Sequence, residues 1–283
     1  MKDVSRGWVC GGRTLPVFER VHLMGVLNVT PDSFSDGGLF VDQQAAVSRA
    51  LQMAEEGADI IDVGGESTRP GAQPVSEQAE MDRVVPVIEK IAGQTDALVS
   101  IDTTKAAVAK AAIDAGAAVI NDVSALTRDP AMARLAASTG AGVVLMHMRG
   151  EPRTMQTNPS YRDVVAEVAE ALAGWAEGAE KAGIARSAIA LDPGIGFGKT
   201  LEHNLALIRS TRRFAELGHP VLVGPSRKSF IGAVLDLPVD RRVEGTAAVV
   251  AWLAANGANI IRVHDVAQMS RVVHMTQAIA GAV

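Results

Sequence analysis

Residues 192–199 read DPGIGFGK, and with Thr200 they look like a glycine-rich loop that wraps a nucleotide phosphate. A P-loop needs glycine five residues before its Gly-Lys pair, but Pro193 stands there and has no backbone N–H to give to a phosphate. A dinucleotide-binding fingerprint needs its third glycine at the position of Lys199. Both patterns fail by one residue, so the role of this stretch has to follow from its place in the chain.

Two stretches nearer the C-terminus carry cations suited to anions. The segment SRKS (226–229) puts Arg227 and Lys228 at a predicted helix N-terminus, where backbone N–H groups already favour negative charge. A solvated basic turn would give the same residues. The segment RVHD (262–265) directs Arg262 and His264 to one side of an extended strand, which suits a phosphate clamp. That spacing alone does not identify a ligand.

The elements that carry these residues follow a repeated pattern, in which a helix-like stretch is followed by a short apolar run. The eight runs are VHLMGVLN (21–28), GADIID (57–62), ALVSID (97–102), GAAVIND (116–122), GAGVVLMH (140–147), AIALD (188–192), GHPVLVG (218–224) and GANIIR (257–262). Such runs are typical of strands buried on both faces. Eight βα units in 283 residues predict an α/β fold, a (β/α)8 TIM barrel, with a doubly wound sheet as the alternative.

The predicted domain is a single unit over residues 1–283. Residues 1–20 contain a Gly-Gly turn and Pro16, and they are predicted to form a short N-terminal β-hairpin that closes the barrel floor. No low-complexity segment or long linker interrupts the pattern.

Nearly every predicted strand ends in a residue able to form hydrogen bonds or carry charge. These residues are Asn28, Asp62, Asp102, Asn121, His147, Asp192, Arg262 and His264. One polar strand end can simply cap the next helix. A ring of them at the C-terminal ends, where barrel enzymes hold their active sites, predicts a binding site.

Composition limits the function further. The formal net charge of −5 argues against bulk binding of nucleic acid, so any anion must be met by locally placed cations. The single cysteine, Cys10, and the lack of a leader-like segment or a transmembrane-length apolar run favour the cytoplasm. The segments NVTPDSFSDGG (28–38) and GGESTRPGA (64–72) have the composition of mobile loops that close over a ligand, although plain surface turns share it.

Eight motifs, in their order along the chain, resemble those of dihydropteroate synthases. They are MGVLNVTPDSFSDGG (24–38), DVGGESTRPGA (62–72), IDT (101–103), NDVSA (121–125), LMHMRGEPRTMQ (145–156), DPGIGFGK (192–199), SRKSFIG (226–232) and RVHDV (262–266). The family is a transferase of folate biosynthesis. It joins 6-hydroxymethyl-7,8-dihydropterin pyrophosphate to p-aminobenzoate, giving 7,8-dihydropteroate and pyrophosphate, usually with Mg²⁺.

The resemblance implies that DPGIGFGK serves the pterin. Asp192 matches the carboxylate that accepts two parallel hydrogen bonds from the guanidine-like edge of the ring. Asp102 and Asn121 match its other polar contacts, and Lys228 matches the cation near the pterin carbonyl. Lys199 has no matched role and is expected to be solvated.

The same resemblance assigns the pyrophosphate to Asn28, Thr68, Arg69, Arg262 and His264, with Asn28 also contacting Mg²⁺. Pyrophosphate leaves before the amine attacks, in an SN1-like path. This path needs stabilisation of both the leaving group and the cationic pterin. The catalytic residues implied are Lys228, Asp36, Arg262 and His264, with Asp36 beside the pterin cation.

The resemblance places p-aminobenzoate against residues from four loops: Phe34, Pro70, Phe197, Lys228 and Ser229. Ser229 and its helix N-terminus are expected to hold the carboxylate. Because sulfonamides mimic this substrate, the same region is expected to bind them.

Two other functions remain open from the sequence. A barrel that transfers a methyl group from a folate to a corrinoid protein would share the ring-binding residues, but it has no need of Arg262 and His264 for pyrophosphate. A non-catalytic pterin-binding paralogue would be betrayed by loss of a loop residue, and none is lost. The family resemblance also implies a homodimer joined through helices on the outside of the barrel. The apolar stretch 247–257 suits a core or an interface equally.

Overall fold

The computed structural model describes residues 7–30, 38–67, 73–151 and 154–281, with the backbone alone for residues 38–42. Its strands, in chain order, are β1 (Trp8–Cys10), β2 (Arg13–Leu15), β3 (His22–Asn28), β4 (Ile60–Gly64), β5 (Leu98–Asp102), β6 (Val119–Asp122), β7 (Gly142–Met146), β8 (Ile189–Asp192), β9 (Leu222–Val223) and β10 (Ile260–Val263).

The helices follow the barrel strands. They are α1 (Gly38–Glu55), α2 (Glu77–Ala92), α3 (Ala106–Asp114), α4 (Met132–Thr139), α5 (Val164–Lys181), α6 (Leu201–Arg209), α7 (Thr211–Ala215), α8 (Ser229–Leu235), α9 (Val243–Ala255) and α10 (Val266–Ile279). Short 3₁₀ turns cover Arg186–Ala188 and Val239–Arg241.

Strands β3 to β10 form one parallel sheet in the order β8-β7-β6-β5-β4-β3-β10-β9. A further parallel bridge joins Leu191 to Val221, so β8 and the start of β9 bring the two sheet edges together. The predicted (β/α)8 barrel is therefore confirmed, and the doubly wound alternative is wrong.

Strand β9 has only two residues because Pro220 precedes it and cannot donate a backbone hydrogen bond. The neighbouring N–H of Val221 donates to the side-chain oxygen of Asn259 at 2.8 Å. Side chains also define helix starts: Ser76 accepts from Ala79 N before α2, and Thr200 forms a capping box with His203 before α6. These contacts fix how each loop enters its helix.

Alternation along the strands fills the lower barrel with apolar side chains. One residue from each barrel strand forms a buried layer: Met24, Ile60, Leu98, Val119, Val144, Ala190, Leu222 and Ile260. Such layers make a TIM barrel a packed core rather than a pore.

The predicted N-terminal hairpin is present, since β1 pairs antiparallel with β2. Trp8 and Cys10 are fully buried against the apolar layer, and the indole Nε1 of Trp8 donates to Ala188 O at 2.9 Å. The hairpin therefore covers the end of the barrel that is opposite the C-terminal strand ends.

Candidate active site

The polar strand-end residues other than His147 lie on the inner face of the barrel, above the apolar layer. Successive side chains of a strand point to opposite faces, so inner positions are two residues apart. Two residues beyond the layer come Val26, Asp62, Ser100, Asn121, Met146, Asp192, Gly224 and Arg262. A further two residues reach Asn28, Gly64, Asp102 and His264. The fold thus brings together the described residues that the sequence assigned to pterin.

Arg262 lies at the centre of this group. Its Nε donates to Asp62 Oδ2 at 2.6 Å and its Nη2 to Asp102 Oδ2 at 2.9 Å. Asn121 donates from Nδ2 to the same oxygen of Asp62 at 2.9 Å. Burial alone would lower the pKa of Arg262, but the charges of Asp62 and Asp102 outweigh burial and raise it. The guanidinium therefore stays charged and ties two carboxylates together.

The two carboxylates predicted to bind pterin are poorly solvated. Burial raises the pKa of Asp102, opposed mainly by the charge of Arg262. Burial also raises the pKa of Asp192, opposed mainly by the charge of Lys228 and by a hydrogen bond from Gly194 N at 2.7 Å. Low solvation strengthens hydrogen bonds from a ligand, because water competes less for the oxygens.

The turn after β8 is shaped by its glycines. Gly194 has φ 68°, and a methyl group there would overlap the carbonyl oxygen of His147. Gly196 has φ 83°, and a Cβ there would lie 3.0 Å from Cδ of Lys228. The lack of a side chain at these two positions therefore lets the backbone pass between β7 and the Lys228 side chain.

Lys228 extends over this turn. Its Nζ donates to Ile195 O and lies 4.6 Å from the centre of the Phe197 ring. Burial lowers the pKa of Lys228 to about 8, and the charge of Asp192 counteracts part of that effect. Phe197 and Lys228 thus form one wall of the site, next to the buried carboxylate of Asp192.

The expectation that Lys199 is solvated is wrong. Its side chain turns inward and the residue is only 3% exposed. The ammonium contacts His147 at Nδ1 and at its carbonyl oxygen, and it donates to Phe197 O at 2.8 Å. His147 is itself buried, at 7% exposed, and hydrogen-bonded to this lysine.

The segment 226–229 gives one cation to the site rather than two. Arg227 forms a two-pronged ion pair with Asp265, through its Nε at 3.0 Å and its Nη2. Ser226 Oγ lies 3.0 Å from Nδ1 of His264 and accepts from the His264 backbone N–H at 3.2 Å. Ser229 is exposed at the start of α8, beside Lys228. Arg227 therefore anchors the loop to β10, while Lys228 faces the pterin residues.

A partly buried cluster of charged residues joins the two ends, or stems, of the loop that contains residues 64–72. Lys105 donates to Glu66, Glu80 and Val75 O, so it joins the residues on either side of the loop to α2. Glu80 is fully buried. The fixed stems lie next to Asp102, and Glu66, Glu80 and Asp102 share the lining of one cavity.

That cavity has a volume of about 320 Å³. Its inner part is lined by Asp102, Val123 and Met146, and its outer part is formed by the loops after β5, β6 and β7 with Trp175 of α5. A volume of this size suits a small ligand, and of the four residues predicted to bind pterin it is Asp102 that lines the cavity. Val123 and Met146 are apolar, so the sequence did not mark them as site residues. Their spacing was the available signal, because each lies two residues after an inward-facing residue of its strand, Asn121 and Val144 respectively.

Asn28 is the described residue best placed for a hard metal ion. A Cβ on Gly64 would lie 3.9 Å from both Asn28 Oδ1 and Asp102 Oδ2, so a carboxamide oxygen and a carboxylate oxygen flank the same small space. Within the described ranges no cluster of three His, Cys, Asp or Glu residues could hold a metal. Mg²⁺ keeps several waters and takes one or two protein oxygens plus substrate phosphates, so this donor set fits it.

Five predicted site residues lie outside the described residues: Phe34, Asp36, Thr68, Arg69 and Pro70. Conversely, the sequence noted Asp62 as a polar strand end but gave it no role. The structure places it, fully buried, as the shared acceptor for Asn121 and Arg262.

The family model for pterin binding enzymes matches residues 24–264, which span every barrel strand except the start of β3. The chain belongs to this family of enzymes, which are defined by the kind of ring they bind.

Individual relatives narrow the assignment. The chain is 47% identical over 270 residues to the dihydropteroate synthase of Clostridium beijerinckii, covering 95% of this chain and 98% of the relative. Its structure resembles that of Yersinia pestis dihydropteroate synthase in complex with a sulfonamide drug, with TM-score 0.91, 45% identity and 96% and 98% of the two chains covered.

It also resembles the Xanthomonas albilineans dihydropteroate synthase in complex with 7,8-dihydropteroate, with TM-score 0.87, 43% identity and 96% and 97% coverage. Within the pterin-binding enzymes, the chain therefore belongs with the dihydropteroate synthases and is a transferase. In the described part of the chain, no helix combines the length and apolar character that crossing a membrane requires.

Proposed function

We propose that this chain condenses 6-hydroxymethyl-7,8-dihydropterin pyrophosphate with p-aminobenzoate to give 7,8-dihydropteroate and pyrophosphate. The observation that carries the proposal is the arrangement of buried Asp192 and Asn121 beside Asp102, with Lys228 and Arg262 over them at one barrel end. Acceptors for a ring edge and cations for an anion are what the reaction needs in one place.

The pterin is bound through its polar edge. Asp192 accepts two parallel hydrogen bonds from the exocyclic amine and the neighbouring ring N–H, and its buried oxygens discriminate against analogues that lack a donor. Asn121 and Asp102 contact the other ring atoms. Lys228 donates to the carbonyl side, and its position over the Gly196 turn supports this role.

Departure of pyrophosphate leaves positive charge on the pterin methylene and extra negative charge on the leaving group. Arg262 and His264 stabilise the leaving group, together with Thr68 and Arg69, while Asp36 stabilises the pterin cation. The pyrophosphate leaves first and the amine attacks afterwards, in an SN1-like path. Support for this division comes from Arg262 and His264 sharing the inner face of one strand end.

Asn28 holds Mg²⁺ through its carboxamide oxygen. The ion supplies charge that offsets the pyrophosphate. The chain itself presents Asn28 from the end of β3. Its carboxamide oxygen lies beside Gly64, on which the Asp102 carboxylate also borders.

The arylamine of p-aminobenzoate is a weak base and needs no strong general base, so its position matters most. Phe34, Pro70, Phe197 and the stem of Lys228 wall its ring, and Ser229 at the start of α8 meets its carboxylate. Sulfonamides occupy the same region. The exposure of Ser229 next to the Lys228–Phe197 pair supports this orientation.

Three further assignments accompany the proposal: a single domain, a cytoplasmic location and a homodimer. Exposed apolar side chains on the two C-terminal helices support the dimer, since Trp252 of α9 is 48% exposed and Met275 of α10 is 61% exposed. Sedimentation equilibrium of the purified protein tests it, because a monomer at micromolar concentration would contradict it.

The function is tested by pyrophosphate release from dihydropterin pyrophosphate and Mg²⁺, with and without p-aminobenzoate, with the product identified by mass. Release that yields dihydropteroate, requires the arylamine and is blocked by a sulfonamide is the expected result. Pterin binding without release would favour a non-catalytic paralogue. Methyl transfer from a methylated folate to a corrinoid protein would favour the methyltransferase.

A further inference from the structure

Lys199 is a buried cation that the proposed reaction does not use. Its ammonium group has three contacts, and all are with neutral groups: His147 Nδ1 at 3.1 Å, His147 O at 3.2 Å and Phe197 O at 2.8 Å. Burial lowers the pKa of His147 to about 3, so its ring is neutral and an unprotonated Nδ1 accepts the hydrogen bond. The lysine thus holds the end of β7 and the turn after β8 together.

Placing an ammonium group there is costly. Among the described residues, no carboxylate forms an ion pair with Lys199. A buried charge without such a partner opposes folding, and burial lowers the pKa of Lys199 to about 7. The charge that favours its protonated form is that of Asp192. An apolar side chain would avoid this cost, but it would make none of the three hydrogen bonds of the ammonium group.

Lys199 is connected to Asp192 through two neighbours, His147 and Gly194. His147, whose carbonyl Lys199 binds, donates its own backbone N–H to Asp192 O at 2.8 Å. The Nζ also lies 3.4 Å from where a Cβ on Gly194 would be, and Gly194 N donates to Asp192 Oδ1 at 2.7 Å. Movement of the ammonium would therefore shift both the main chain and the carboxylate of Asp192.

The third contact fixes the far end of the turn. Lys199 binds the carbonyl of Phe197, and Gly194 O accepts from Phe197 N at 3.1 Å, so the turn is closed from both directions. Tyr161 donates to Gly198 O at 3.0 Å, and Gln156 donates to Gly196 O at 2.5 Å. Lys228 also donates to this turn, at Ile195 O, but Lys199 is the most deeply buried of these side chains, at 3% exposed.

We propose that Lys199 is a positioning residue of the pterin site, whose buried ammonium group fixes the turn that follows Asp192 and so sets the place of its carboxylate. It touches neither the pterin nor the reacting carbon. Its effect reaches the pterin through His147, Gly194 and Asp192. The inference rests on the proposed function, since it names a residue that supports pterin recognition.

The test replaces Lys199 with Met, which keeps an apolar stem of the length of the lysine stem up to Cε and removes the charged group with its donors. The dissociation constant for dihydropterin pyrophosphate is measured by titration calorimetry, KM and kcat are measured by pyrophosphate release, and unfolding is measured by circular dichroism. Misplacing a binding group by about 1 Å can cost about a hundredfold, so we expect Kd and KM for the pterin substrate to rise roughly 10- to 100-fold. We expect kcat to change by less than about threefold, because the bound substrate and the transition state lose the same binding energy.

Lys199→Gln is the second variant. Its amide can still donate to the carbonyls of His147 and Phe197 but carries no charge, so we expect it to fold and to recover part of the lost affinity. Lys110→Met is the matched control, since Lys110 lies on α3 with a side chain that is 63% exposed, and it should leave every measured quantity unchanged.

The outcomes separate the inference from the proposed function. If Lys199→Met unfolds at a lower temperature but binds the pterin substrate as tightly as the unaltered protein, the lysine is only structural and the inference is wrong. If Lys199→Met does not fold, an unchanged Kd in Lys199→Gln overturns it equally. An unaltered protein that binds no pterin substrate would contradict the proposed function and the inference together.

Discussion

Arg262 donates from Nη2 to Oδ2 of Asp102 at 2.9 Å, which joins a residue proposed for pyrophosphate to one proposed for the pterin ring. The two halves of the substrate are therefore recognised by groups that already interact before it binds. A positive charge at this distance favours the ionised carboxylate, and the ionised carboxylate in turn holds the guanidinium in place. Changes to either residue should affect both halves of the substrate.

Replacing Arg262 with Met should alter the pH dependence of pterin binding. The charge of Arg262 lowers the pKa of Asp102, which burial raises, so its removal lets that pKa rise further. A protonated Asp102 loses an acceptor, and the affinity for the pterin substrate should fall most at acidic pH. Calorimetric titrations from about pH 5 to about pH 9 would locate the midpoint of this loss. Arg262→Lys keeps the charge and should move the midpoint less, whereas an identical profile for the Met variant would exclude the coupling.

Asp192→Asn should abolish most pterin recognition. An amide offers one acceptor and one donor where the ring edge presents two donors, so a buried donor of the ligand would face an N–H group. Leaving a buried polar group unpaired costs about 1–3 kcal/mol, and we expect the Kd for the pterin substrate to rise by about 10- to 100-fold. Asp114→Asn, on the exposed end of α3, serves as the control. Equal affinities in the two variants would remove Asp192 from the site.

Gly194→Ala should damage the turn after β8. With φ at 68° and the carbonyl of His147 in the place of a Cβ, the backbone has to move, and pterin affinity and stability should both fall. Gly174→Ala is the matched control, because Gly174 lies within α5 with open space around a Cβ. It should raise the free energy of unfolding by about 0.5–1 kcal/mol. Urea unfolding of both variants measures the contrast, and a harmless Gly194→Ala would contradict the described turn.

The rate of dihydropteroate formation should fall as pH rises through the pKa of Lys228. Burial lowers that pKa to about 8, so the cation proposed to face the pterin carbonyl is lost above this pH. Lys228→Arg keeps its charge and should move the alkaline limb of the kcat/KM profile upward, even if its maximum rate is lower. An alkaline limb that stays in place in the Arg variant would assign it to another group.

The same shift has a consequence for stability with the opposite trend. Since the unfolded chain keeps Lys228 protonated up to its ordinary value near 10.5, it binds more protons than the folded chain between about pH 8 and about pH 10.5. The contribution of Lys228 to stability therefore rises with pH across that window. Comparing urea midpoints of the unaltered protein and Lys228→Met across it would isolate the contribution, and parallel curves would refute it.

The fold was predictable because the signals are local. Each barrel strand is a short apolar run of its own, and residues such as Asp102 and Asp192 stand at the ends of those runs. The barrel then brings these ends together, whatever the loops between them contain. The polar inner face of the site was therefore accessible from the order of residues alone.

The partners of the cations were not predictable in this way. Lys199 was expected in solvent because the family resemblance gave it no role, yet its partner His147 lies 52 residues earlier in the chain. The pairing of Arg227 with Asp265 spans 38 residues and likewise needs the strands in place. Whether a lysine or arginine is solvated depends on which element covers it, and no neighbouring residue in the sequence records that.

Side chains along each barrel strand alternate between the inside of the barrel and the helical layer, so the position of a residue in the strand decides which side it faces. In β5, Leu98 belongs to the apolar plug, while Ser100 and Asp102 share its side of the strand and Val99 and Ile101 pack outward against the helices. One residue inserted directly after Leu98 within this strand would turn the Asp102 carboxylate towards the helical layer and put Val99 and Ile101 at the ligand. Two inserted residues would return the Asp102 carboxylate to the inner face. Lengthening a helix or a loop on the outside carries no such penalty, so the length of this chain can vary between its strands but hardly within them.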